Sequence, residues 1–232
     1  MMLRPMRARA SKPYKGLRRC FVAEGGTAVL DFRLVSHPEE GLRKEGAMDL
    51  SEAIRGRRSI RRYRKDPVPD ASILECIEAA RLSPSWTNTQ VWRFIVVKEQ
   101  RIKEALQEAL TPHNPARQAM LDAPCVVCVA AQRGVAGLKK GETVTDKGDW
   151  FMYDCGIAME HLVLTAWSIG LGTVHVGAFD AKKAEATLAI PDGFSVVAMT
   201  PLGYFEERPD PRPRKGLEEI LYLDQFGKAY NR

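Results

Sequence analysis

The sequence predicts a mixed α/β or α+β fold, and three observations carry that expectation. From Met48 onward, short apolar runs of strand character are separated by segments of helical periodicity. One stretch, Trp150 to Ile169, is apolar almost all round, as a buried central helix is. No internal repeat is visible, and 232 residues with 45% hydrophobic content are ample for one domain with a substantial core.

In chain order, residues 1–47 read as a basic extension outside the core. They lack sustained periodicity, and their first 20 residues hold seven Lys/Arg and no acid. Three readings stand: a loosely attached or poorly ordered extension, a targeting peptide, or sequence upstream of a start at Met48. The segment is poor in serine for a transit peptide and lacks the apolar core of a secretory signal, which favours the first and third. Residues 48–221 read as the domain proper, and 222–232 as a C-terminal arm.

Within the domain, Asp49 to Arg55 opens a helix with Leu50, Ala53 and Ile54 on one face. A second helix, capped by Asp70 or Ser72, runs to Leu82 on a stripe of Ile73, Leu74, Ile77, Ala80 and Leu82. A strand is expected over Val91–Val97, a helix over Gln100–Leu110, a short helix over Ala116–Leu121 and a buried strand over Cys125–Ala131. Polar, glycine-bearing Arg133–Gly148 suggests a mobile loop before the central helix. Strands over Gly172–Val176 and Phe194–Met199 follow. Prolines extend Arg208–Arg214, and a short helix covers Leu217–Leu221.

Composition excludes several classes. No run of about 18 apolar residues occurs, so no membrane-spanning helix is expected. The net charge of +6 sits mainly in the leading segment: 10 of 35 basic and 5 of 29 acidic residues fall in 1–47, leaving +1 for the other 185. No broad phosphate-binding face for nucleic acid is therefore expected on the body. Cys20, Cys76, Cys125, Cys128 and Cys155 are odd in number with no framework spacing, and read as reduced thiols of a cytoplasmic protein. Cys125 and Cys128 form a C-x-x-C, but on a strand they point to opposite faces, which disfavours a shared metal or a local disulfide. No metal signature is present.

Four segments carry candidate chemistry. In Arg57-Arg58-Ser59-Ile60-Arg61, guanidinium groups and a hydroxyl at a helix end suit a phosphate. Alone, the segment reads more readily as a solvated basic helix end. In Pro84-Ser85-Trp86-Thr87-Asn88-Thr89-Gln90, a polar loop after a helix presents main-chain N–H groups and side-chain amides suited to ribityl hydroxyls and a pyrimidine edge; the plainer reading is a helix–strand turn. In Gly170-Leu171-Gly172-Thr173-Val174-His175-Val176-Gly177-Ala178, small residues allow a flat ring to approach the main chain, although a helix C-cap accounts for Gly170 by itself. Arg212-Pro213-Arg214-Lys215 places further cations at the start of a short helix.

In order, R-R-S-I-R, P-S-x-x-N-x-Q-x-W-R-F, G-L-G-T after a long apolar helix, and R-x-R-K-x-L-E-E closely resemble the nitroreductase family, from Met48 to about Leu221. The resemblance implies an α+β sandwich with a mainly antiparallel central sheet flanked by helices, and an intertwined homodimer with FMN at its interface. It implies that Arg57, Arg58, Ser59 and Arg61 meet the FMN phosphate, ribityl chain or pyrimidine, and that Arg212 and Arg214 close over the phosphate. Pro84, Ser85, Trp86 and Asn88 would come from the other subunit, and Gly177 and Ala178 would offer main-chain donors near flavin N5. The arm from Tyr222 onward would wrap the partner. Three positions depart from the family pattern: Val91 and Gly216 stand where proline is frequent, and Trp86 replaces a small residue.

The function so implied is a ping-pong cycle in which NAD(P)H reduces FMN and a small acceptor, a nitroaromatic or quinone, is reduced in the same pocket. The cofactor performs the hard step, and no catalytic side chain is demanded. Rival readings are another branch of the fold (flavin reductase, dehydrogenase, dehalogenase or flavin-cleaving enzyme), a flavin-binding protein without turnover, and a nucleic-acid module using the basic leader. His161 is expected as a hydrogen-bonded core residue, and His175 lies close to the expected ring contacts.

Overall fold

A computed structural model describes residues 48–230. The expectations for residues 1–47, Cys20 among them, lie outside the described residues. Helix α1 (Leu50–Gly56) starts at Asp49, whose carboxylate accepts the Ser51 N–H at 2.8 Å while Glu52 accepts the Asp49 N–H at 3.3 Å. This reciprocal cap satisfies donors that a helix start otherwise leaves open. Helix α2 (Asp70–Arg81) is capped by neither residue expected: Pro69 is its N-cap, and the Asp70 carboxylate pairs with Lys98 instead. Strand β1 (Trp92–Val97), α3 (Gln100–Ala109), α4 (Arg117–Asp122) and β2 (Cys125–Gln132) follow.

The polar stretch after β2 holds a small hairpin, β3 (Leu138–Lys139) with β4 (Glu142–Thr143). Helix α5 (Phe151–Ser168) precedes β5 (Gly172–Thr173), α6 (Ala181–Thr187), the long β6 (Phe194–Gly203) and the single turn α7 (Leu217–Ile220). The strand expected over Gly172–Val176 is two residues long, with a lone bridge from Val176 to Met199.

The four main strands form one sheet in the order β1-β2-β6-β5, antiparallel throughout. Helices α2 and α5 cover one face and α3, α4 and α6 the other, so the fold is the α+β sandwich that was expected. Strand β2 lies at the centre and is buried on both faces. Val126 and Cys128 face the α3/α4/α6 core, while Cys125, Val127 and Val129 face the α2/α5 core. The strand's period of two thus separates the C-x-x-C thiols across the sheet. Burial pushes Cys128 up to about 12 and Cys125 up to about 11, away from thiolate chemistry.

Helix α5 corrects one expectation. Asp154, Cys155, Ala158, Leu162, Val163 and Ala166 are buried, but Met152 and Tyr153 are 57% and 62% exposed. Its apolar circumference is therefore only part-covered within one chain. Leu50 and Ile54 of α1 are likewise exposed, with Ala53 buried between them.

Candidate functional site

Helix α1 ends because Arg57 leaves helical geometry at φ −55° and ψ 133°. Arg58 then folds back, and its Nη1 donates to the carbonyls of Arg55, Gly56 and Arg57 at 2.8, 3.0 and 2.9 Å. A cation on these unpaired carbonyls satisfies them and offsets the negative helix end. The chain continues extended beside the sheet edge: the Ile60 N–H donates to the Thr173 carbonyl at 2.8 Å, and Ser59 bridges Thr173 in parallel. Ile60 is buried, so Arg57, Ser59 and Arg61 share the other side at a spacing of two. Gly172 makes this approach possible, since a Cβ there would fall 2.7 Å from Ile60. Its small size makes room for that packing.

The opposite wall is the proline-spaced segment 208–214. Arg208 lies over the Trp167 ring, 5.6 Å from its centroid, and Trp167 stacks on Phe205. Arg214 Nη1 donates to the Arg212 carbonyl at 3.0 Å. Between the walls lies a cleft of about 460 Å³. Arg55, Arg57, Arg58, Arg61, Arg212 and Arg214 line it together with the Ser59 hydroxyl, against one acid, Asp210. Such an excess of planar cations suits a phosphate dianion. Arg58 Nε is buried without a partner among the described residues, a donor still open at the cleft wall. The donor set therefore fits the phosphate end of FMN. The cleft unites Arg57, Arg58, Ser59 and Arg61 with Arg212 and Arg214. Arg55 was missed; its Nη2 folds back to Ser51 Oγ at 2.6 Å, one turn away, a spacing that was visible in the sequence.

The other candidates lie outside this cleft within one chain. Pro84, Ser85, Trp86 and Asn88 occupy a loop with a 3₁₀ turn at Trp86–Asn88. Three of its non-glycine residues are left-handed: Thr87 at φ 42°, Asn88 at 60° and Gln90 at 48°. Such conformations cost about 1–3 kcal/mol each and persist only where surroundings impose them. Gly177 and Ala178 are exposed in the turn after β5, where the Ala178 carbonyl accepts from Asn114 Nδ2 at 3.1 Å.

His175 does not line the cleft but faces one of its residues indirectly. Glu160 stands between His175 Nε2 at 3.6 Å and Arg57 Nε at 3.9 Å. His161 is hydrogen-bonded as expected, its Nδ1 lying 2.8 Å from Ser83 Oγ, but it sits at the exposed margin of α5 rather than in the core. Among the described residues, no group of three or more His, Cys, Asp or Glu can hold a metal, and no helix is long and apolar enough to cross a membrane.

An antiparallel α+β sandwich carries an arginine-lined cleft against its sheet edge, a donor set suited to a phosphate. Comparison with known proteins gives the lineage. The nitroreductase family model matches residues 54–204, and the chain belongs to that family of flavin-dependent oxidoreductases. It is similar to an NADH dehydrogenase of Thermus thermophilus, 31% identical over 197 residues that cover 75% of this chain and 95% of the relative. A nitroreductase family protein from Clostridium novyi NT aligns with TM-score 0.63 at 32% identity, over 79% of this chain and 97% of that one. An FMN-dependent nitroreductase from Clostridium difficile R20291 shares the fold, with TM-score 0.64 at 22% identity over 76% and 99% of the two chains.

Proposed function

We propose that the chain is a homodimeric FMN enzyme that carries electrons from NADH or NADPH to a small acceptor, such as a nitroaromatic or quinone. The observation that carries this reading is the convergence of six arginines and Ser59 from both ends of the domain on one cleft, in a chain of this family. When bound, the flavin ring supplies the two-electron chemistry. Arg57, Ser59, Arg61, Arg212 and Arg214 hold the phosphate end. Arg58 braces the α1 terminus and lends its remaining donors to the same wall. The main-chain N–H groups of Gly177 and Ala178 are the donors assigned to the ring edge at N5. Pro84, Ser85, Trp86 and Asn88 are assigned to the partner's site, which accords with their absence from the cleft of their own chain.

Uncovered apolar surface supports the dimer. Leu50, Ile54, Leu74, Leu82, Met152 and Tyr153 are each more than half exposed, and Phe226 of the arm is 92% exposed. Surface of this kind on one chain marks an association face. The fused readings, domain 48–221 and arm 222–232, then describe a body and its strap.

The test is the visible flavin absorbance of the purified protein, before and after anaerobic NADH or NADPH. The reading requires a yellow dimer that either nicotinamide bleaches and an acceptor restores. A yellow protein that neither nicotinamide bleaches points instead to a flavin carrier.

A further inference from the structure

The loop Ser83–Gln90 is strained, and its own hydrogen bonds are short-range: Asn88 N–H to the Ser85 carbonyl at 3.1 Å, Thr89 N–H to the Trp86 carbonyl at 2.9 Å, Gln90 N–H to Ser85 Oγ at 3.0 Å, and Gln90 Nε2 to the Asn88 carbonyl and Oδ1 at 3.4 and 3.2 Å. What fixes it from outside is helix α5. Asp154, only 2% exposed, receives the Trp86 main-chain N–H on both carboxylate oxygens, at 3.0 and 3.1 Å. Seven residues on, two helical turns along the same face, His161 meets Ser83. The Trp86 ring is held separately, 5.1 Å from the Trp150 ring just before α5, and Trp150 Nε1 donates to Thr145 in the preceding loop at 3.1 Å.

A buried carboxylate is costly, and a main-chain amide is a modest return for it unless that amide's position matters. We propose that Asp154 is a positioning residue for the cofactor loop: by clamping the Trp86 main chain to α5 it holds extended Ser85 and left-handed Asn88, on either side of Trp86, in the geometry through which they reach the partner's flavin. The Trp86 ring lies tilted against Trp150, and its bulk is absorbed by that contact. The proposal rests on the assignment of this loop to FMN.

The test uses the full-length dimer. Asp154→Ala removes the acceptor, and Asp154→Asn keeps one amide oxygen for Trp86 without the charge. Hydrogen exchange of the Trp86 amide is read in the flavin-free protein, and FMN affinity by flavin fluorescence. The expected result is loss of Trp86 protection in Asp154→Ala, with FMN binding weakened about tenfold or more, while Asp154→Asn stays within about threefold of the parent. If Asp154→Ala does not fold, Asp154→Ser, one atom too short to reach the loop, takes its place. A variant without the clamp that keeps both Trp86 protection and parental FMN affinity overturns the proposal. A parent protein that binds no FMN instead sinks the cofactor assignment, and the exchange measurement still decides whether Asp154 holds the loop.

Discussion

Arg57 and Arg58 are adjacent and chemically identical, yet the fold gives them different work. Arg57 presents its guanidinium beside Ser59, while Arg58 spends Nη1 on three carbonyls. Replacing Arg57 and Arg214 together with Ala should strip FMN on dilution with little change in unfolding free energy. Arg58→Ala should do the reverse in part, lowering stability by about 1–2 kcal/mol through the lost charge-assisted bonds. Equilibrium denaturation and flavin occupancy, measured on both variants, separate the two roles; full flavin occupancy in the double variant would contradict the site. Asp154 belongs to the same scale. Burial raises its pKa above the ordinary aspartate value, and the Trp86 N–H and the Thr89 hydroxyl oppose that shift. The unfolded chain therefore loses this proton at lower pH than the folded one. Stability from this group is present below the ordinary value and lost as pH rises through the raised one. Urea unfolding across acidic to neutral pH should show Asp154→Asn gaining on the parent as pH rises through that window, and the two converging below it.

At the level of elements, the site depends on how closely the Arg57–Arg61 segment approaches β5. Gly172 permits it, and an added Cβ would press on the branched atoms of Ile60, which is buried in the core. Gly172→Ala should destabilise the fold by about 1–3 kcal/mol, as overpacking does. It should also weaken FMN binding, because Ser59 and Arg61 move with Ile60. Thermal unfolding and FMN titration of one variant check both effects, and an unchanged midpoint would show that the segment yields without cost. Some boundaries differ from the sequence reading. Pro69 takes the cap of α2 because Asp70 is drawn to Lys98, just past the end of β1. Strand β5 stops after two residues, although Val176 still meets Met199. The Asp70–Lys98 pair joins residues 28 apart in sequence, so periodicity could not have shown it.

For the whole molecule, the decisive feature is apolar surface that one chain leaves open. Leu223, Phe226 and Tyr230 of the arm are 39%, 92% and 51% exposed. Deleting residues 222–232 should shift sedimentation equilibrium toward monomer at a concentration where the parent is dimeric, and should lower flavin retention with it. A truncated protein as dimeric as the parent would remove the arm from the interface.

The sequence by itself determined the class of fold, the run of helices and strands, the buried thiols and the basic segments, because apolar periodicity and local cation density are written in neighbouring positions. The joining of Arg57–Arg61 to Arg212–Arg214 was legible only through family resemblance, since nothing local says that segments so far apart meet. Tertiary structure alone decided that Gly172 makes room for Ile60, that Arg58 is a brace, and that Asp154 grips a loop 68 residues earlier. The Gly172–Ile60 and Asp154–Trp86 contacts join side chain to backbone across the fold, and the Arg58 brace turns on the backbone departure at Arg57; none of them leaves a period or spacing in the chain.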